Sequence, residues 1–379
     1  MKRFIITSLI GITTLTTTPL ILPLLPQRSY AQTSDSQEEK LDQLLKTSRQ
    51  QTKQYQYQEA IETLQQALAL AKKIKNRGKE GVANYGLGVN YDRIGKRQKA
   101  LNFYEEALMI FREVSYSSGV ATTLNDIGEV YNDIDKPQKA LEYYQQALPI
   151  WQELGDRSNI VSILNSIAQV YNDIGQPQKA LEYFQQALPI RQELGNRSGV
   201  VSTLNNIGLV YSSIGQPQKA LESYQQALPI SQEAGDSSGE ASILNNIGLV
   251  YSSIGQPKKA LEYFQQALPI RQELRETSGL ASILVGIGLV YDNIGEPQKA
   301  LKYYQQALRI SREVGDRSGE ATNLNNIAGV YYSIGQPQKA LEYYQQALRI
   351  SREVGDRSGE ATNLNNICLL YTSPSPRDA

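Results

Sequence analysis

Proline stands at positions 137, 177, 217, 257, 297 and 337, always 40 residues apart, and each lies in a segment close to Gly-Gln-Pro-Gln-Lys-Ala-Leu-Glu-Tyr. An internal repeat of this kind limits the fold more than any other feature, because one supersecondary unit must be reused along the chain. Ala60 and Ala100 keep the register of Ala140, so the array runs over residues 41–367 as eight full units and the start of a ninth. Within the unit spanning 119–155, Leu124, Ile127, Gly128 and Tyr131 follow the i, i+3, i+4, i+7 spacing of one helical stripe. Ala140, Leu141, Tyr144, Ala147 and Leu148 form a second stripe. Between the stripes, Gly175-Gln176-Pro177 and its equivalents offer a glycine for a left-handed helix end and a proline for a first helical position. Each unit therefore reads as helix, tight turn, helix. Gly315-Asp316-Arg317-Ser318 and its equivalents end the second helix, with Ser318 as the expected cap of the next.

Packing explains the residue types. Glycine or alanine at positions such as 128 and 140 lets two helix backbones approach, and Tyr131 and Tyr144 fill the space between units. No unit buries its stripe alone, so neighbours must stack. Pro149, Pro189, Pro229 and Pro269 run against this pattern, because they fall inside the second helix. A proline there forfeits a hydrogen bond and clashes with the preceding turn at ~3 kcal/mol, which predicts a kink or break in those four helices. Met109, Arg309 and Arg349 at the same position predict straight ones.

Composition excludes several kinds of chemistry. The 379 residues contain no His and one Cys, so Ser-His-Asp and Cys-His nucleophilic sites, a zinc centre and a disulfide framework are all out of reach. With 38 basic and 38 acidic residues, the chain lacks the basic excess of a nucleic-acid binder. Acid pairs such as Glu105-Glu106 read as solvated helix surface, and no phosphate-cradling glycine loop is present, so no enzyme activity and no cofactor are expected.

Both ends depart from the repeat. Lys2 and Arg3, the apolar run Phe4 to Leu25 and the Ser29-Tyr30-Ala31 stretch follow the order of a signal peptide over residues 1–31. Cleavage after Ala31 leaves 35 basic against 38 acidic residues, a net charge of −3, on a protein exported to the periplasm or secreted. Membrane attachment is expected only if the N-terminal segment is retained. Residues 32–40 read as a linker. Residues 368–379 break from the repeat and resemble a translated sequencing adapter, in which Cys368 has no redox meaning and after which the natural protein would continue differently.

Leu124, Ile127-Gly128, Tyr131, Ala140, Tyr144 and Ala147 resemble the signature of the tetratricopeptide repeat (TPR) family. The pattern returns at Leu164, Ile167-Ala168, Tyr171, Ala180, Phe184 and Ala187, and again at Leu324, Ile327-Ala328, Tyr331, Ala340, Tyr344 and Ala347. The period of 40 is longer than the usual ~34 and is similar to the variety in spindle-orientation adaptors, kinesin light chains and many cyanobacterial proteins. In the first unit Thr47, Ser48 and Gln51 replace the expected Ile, Gly and Tyr, as suits a polar cap. The resemblance implies an all-α, right-handed superhelical solenoid of antiparallel helix pairs, whose concave face holds a protein or extended peptide. Asn125, Asn165, Asn205, Asn245 and Asn325, with Asn206, Asn246 and Asn326 beside them, are the expected peptide-binding residues. A side-chain amide offers both a donor and an acceptor to a peptide backbone. Val285 interrupts the first column. The neighbouring column, Glu129, Gln169, Leu209, Leu249, Leu289 and Gly329, turns from polar to apolar and favours a ligand with an apolar segment. The expected function is thus a non-catalytic scaffold; the alternative is the regulatory half of a longer chain ending in a caspase-like (CHAT) protease module, as in similar cyanobacterial proteins.

Overall fold

The computed structural model describes residues 27–372, which form seventeen helices and no strand. The chain divides into two compact units between Ser115 and Tyr116. The first contains α1 (Gln27–Lys53), α2 (Tyr57–Lys73), α3 (Arg77–Arg93) and α4 (Arg97–Glu113). The second begins with α5 (Ser117–Asp133), α6 (Pro137–Leu154), α7 (Arg157–Asp173), α8 (Pro177–Glu193), α9 (Arg197–Ser213) and α10 (Pro217–Glu233). It continues with α11 (Ser237–Ser253), α12 (Pro257–Glu273), α13 (Thr277–Asn293), α14 (Pro297–Glu313), α15 (Arg317–Ser333), α16 (Pro337–Glu353) and α17 (Arg357–Thr372). Odd-numbered helices are the first of each pair and even-numbered helices the second.

The stripes are buried as their spacing requires. Leu124, Ile127, Ala140, Tyr144 and Ala147 are all shielded from solvent, as are Leu204, Ile207, Ala220, Tyr224 and Ala227 four helices on. Gly208 makes the close approach possible: a Cβ there would lie 2.4 Å from Cε1 of Tyr224. Within the second unit every even helix, α6 to α16, packs on the odd helices either side of it, and the odd helices α9 and α11, and α11 and α13, also touch one another. In the second unit α9, α11 and α13 thus form a continuous wall backed by α10 and α12.

Turns follow the expected chemistry. Gly175 and Gly215 take φ of 72° and 70°, and α8 and α10 start at Pro177 and Pro217. The cap of α15 differs from expectation. Asp316, not Ser318, accepts the N–H of Gly319 at 2.9 Å, and Ser318 lies inside the helix. The Asp side chain reaches this N–H from the residue just outside the helix, where the backbone is still extended.

The four internal prolines do not break their helices: α6, α8, α10 and α12 run continuously through Pro149, Pro189, Pro229 and Pro269. Each proline is exposed, and so is the residue four before it, for instance Gln225 before Pro229. The carbonyl deprived of its N–H partner therefore faces water, while Ala227 and the core on the opposite side hold the helix in place.

At the N-terminal side, residues 32–40, expected as a linker, lie within α1. Their sequence has neither Gly nor Pro to stop a helix. The polar residues of this first helix are used internally: Ser48 is buried, and Thr52 Oγ1 donates to Oδ1 of Asn90 at 3.0 Å. The expected signal peptide lies outside the described residues except for 27–31, and residues 373–379 lie outside them as well. Cys368 falls in α17 and is exposed. Among the described residues no helix is long and apolar enough to cross a membrane.

Candidate functional site

The asparagine columns lie on the odd helices, and the structure brings them together unequally. In α5 the Asn125 amide is turned along its own helix, donating to Oε1 of Glu129 at 3.0 Å and weakly to Asp126. In α7 Asn165 donates to the carbonyl of Val161 at 3.0 Å, while its Oδ1 is buried without a partner. From α9 onward the amides reach across repeats. Asn246 donates to Oδ1 of Asn205 at 2.8 Å, and Asn366 donates to Oδ1 of Asn325 at 3.0 Å. Asn206 and Asn326 are half-buried on the same face.

This lateral pairing was not visible in either column taken alone. It joins one column of a repeat to the other column of the next, 41 residues on. Where the next repeat has no amide at that position, the bond has no donor. Asn245 is opposite Gly286 in this register, and its Oδ1 is buried without a partner. Asn245 is 9% exposed and its Nδ2 lies 3.5 Å from Oδ1 of Asn246. A buried amide oxygen left unbonded carries a desolvation cost of ~1–3 kcal/mol, which an incoming N–H donor removes.

Beside these amides the apolar column is open to solvent. Leu209, Leu249 and Leu289 are 45%, 37% and 36% exposed, one per repeat on α9, α11 and α13. The preceding member, Gln169, is instead tied to Asp173 at 2.8 Å. The apolar stretch thus begins where the cross-repeat amide pairing begins. Asn205 and Asn325 also line two cavities, of about 250 and 280 Å³, between successive odd helices.

Arginine at two positions of the even helices was missed in the sequence. Arg271 is buried, with Nη1 3.0 Å from Oγ of Ser238, Nη2 2.5 Å from Oγ of Ser242, and an ion pair to Glu276. Burial pulls its pKa down, with Asp236 acting in the opposite direction. Arg191 occupies the same register in α8; burial lowers its pKa too, and its Nε is buried without a partner. Aligning the units on this position alone, Phe111, Trp151, Arg191, Ser231, Arg271, Ser311 and Ser351, would have exposed the alternation.

The tetratricopeptide repeat model matches residues 51–113, 119–193, 199–273 and 279–353. No curated protein matches the chain in sequence. Among solved structures, the apo form of the quorum sensor NprR from B. thuringiensis superposes with a TM-score of 0.61 at 16% identity, over 81% of this chain and 86% of that one. A Rap protein complexed with Competence and Sporulation Factor gives 0.52 at 16% identity, over 84% and 99%. BtubC from P. vanneervenii gives 0.51 at 24% identity, over 58% and 92%. These likenesses are of fold, and the family model covers most of the chain in consecutive helix pairs: the chain belongs to the tetratricopeptide repeat family.

Proposed function

We propose that the chain is a non-catalytic scaffold that binds an extended peptide segment of another protein along the wall of α9, α11 and α13. The observation that carries this reading is the exposed leucine column, Leu209, Leu249 and Leu289, set beside amides of which Asn245 keeps a buried, unbonded oxygen. Apolar side chains of the ligand would cover the leucines, and its backbone N–H groups would meet the amide oxygens. The Rap protein held with Competence and Sporulation Factor offers a precedent of fold for a bound partner.

The test starts with peptides selected from a random display library on the full chain. Changing all three leucines to Ser leaves the core untouched and is expected to weaken the selected peptides at least tenfold, with thermal stability unchanged. Asn245→Ala is expected to weaken them several-fold. Equal affinity for the wild type and the triple variant would remove the groove.

Export follows in the same proposal, with cleavage after Ala31 checked by N-terminal sequencing of the secreted chain. Regulation of a caspase-like module is the alternative; a Cys/His-bearing segment encoded downstream of Ile367 would favour it, and an immediate stop codon the free scaffold.

A further inference from the structure

The two cavities that Asn205 and Asn325 line are copies of one slot, three repeats apart, and the chain itself shows what such a slot holds. Between α11 and α13 the slot is filled by Arg271, which reaches in from α12. Its guanidinium is held by Ser238, Ser242 and Glu276, and Gly279 leaves the room: a Cβ there would lie 2.6 Å from Nε. One repeat earlier, between α9 and α11, every element of this cradle recurs. Ser198, Ser202, Asp236 and Gly239 stand at the registers of Ser238, Ser242, Glu276 and Gly279, and all four line the cavity of about 250 Å³. Only the occupant is missing, because Ser231 replaces the arginine. Ser231 turns its Oγ back to the carbonyl of Leu228 at 2.7 Å.

Between α15 and α17 the same substitution, Ser351 for arginine, leaves about 280 Å³ lined by Thr322, Asp356, Gly359 and Asn363. Asn363 is 3% exposed; its Nδ2 bonds the Gly359 carbonyl at 2.8 Å, and its Oδ1 has no partner. Asp356 uses Oδ1 to cap α17 through the Gly359 N–H at 2.9 Å, which leaves its negative charge at the slot. The lining is therefore rich in acceptors and acidic, the complement of a planar group with several N–H donors. A guanidinium meets that description better than an ammonium, because its fork reaches two hydroxyls and a carboxylate together.

We infer that the slots at Ser231 and Ser351 bind arginine side chains of the partner, each guanidinium taking the place that Arg271 takes in its own repeat. The inference rests on the reading that this wall holds a peptide, and adds that the peptide is basic. The full chain titrated with N-acetyl-arginine methylamide, against the lysine and norleucine analogues, measures the slots without any extended backbone. Binding of the arginine amide at least tenfold tighter than the norleucine amide is expected. Ser231→Arg combined with Ser351→Arg fills both slots from within and should abolish it. Asp236→Asn with Asp356→Asn retains the helix caps, as Asn196 does for α9, and should weaken it about tenfold. Arg271→Ser should raise the number of bound amides by one. Equal binding of the arginine and norleucine amides, or arginine binding unmoved by both double variants, would overturn the inference. The triple leucine variant separates the two proposals: if it loses the selected peptides while the arginine amide fails to bind, the slots fall and the groove stands.

Discussion

Single positions in this array are comparable across repeats, so departures from the consensus act as internal controls. Tyr131 stacks on Tyr143 with ring centroids 5.4 Å apart, and the same stack recurs at Tyr171–Tyr183, Tyr251–Tyr263, Tyr291–Tyr303 and Tyr331–Tyr343. A lysine lies over the first ring of each pair, as Lys139 does over Tyr131 at 5.1 Å. In the repeat of α9 and α10 Tyr211 keeps its lysine, Lys219 at 5.3 Å, but Ser223 stands where the second ring belongs. Ser223 is buried and bonds back to the Lys219 carbonyl at 2.9 Å, a bond that adds little to a formed helix. Ser223→Tyr is expected to restore the stack and raise stability by about 0.5–1.5 kcal/mol, read as a higher urea midpoint at unchanged slope. A lower midpoint would mean that this repeat has closed over the missing ring.

At the scale of the helix, the cost of a proline depends on where the orphaned carbonyl points. Pro229 frees the carbonyl of Gln225 on the exposed side of α10, so water can take the lost bond and the helix continues. Repeats with Arg309 or Arg349 at this position have an N–H there, and Pro229→Arg should add a helical hydrogen bond without touching the core. A gain of about 1–3 kcal/mol is expected, measured by thermal and chemical unfolding; no gain would show that the proline's restriction of the unfolded chain offsets the bond. This element also marks the limit of the sequence. Helix pairs, glycine turns and the prolines that start α8 or α10 were legible, because spacing and backbone chemistry act locally. Whether Pro229 breaks a helix, whether Asp316 or Ser318 caps one, and which amides of the Asn columns pair depend on the side facing solvent or on the register between repeats. The 41-residue link from Asn205 to Asn246 joins two columns that are each regular by themselves, so neither reveals it.

Within the second unit, stability is set by contacts between neighbours, since each even helix from α6 to α16 is packed between two odd helices. Tyr224 belongs to one cluster with Val200, Leu204, Ile243 and Ile247, drawn from α9, α10 and α11. Tyr344 lies in a smaller cluster near the end of the array, with Ala328 and Ala340 and the partly buried Ile367 and Leu370. Removing either ring to Ala costs about 3–5 kcal/mol locally, but the consequences should differ. A lesion at Tyr224 has structured repeats on both sides that must open with it, whereas one at Tyr344 has only α17 beyond its own helix pair among the described residues. Hydrogen exchange resolved by peptide should show Tyr344→Ala accelerating exchange only in α15 to α17, and Tyr224→Ala accelerating it in α9 to α12 and lowering the midpoint of the whole second unit. Uniform loss of protection in both variants would mean that the second unit unfolds in a single step, and that its repeats are not coupled pairwise.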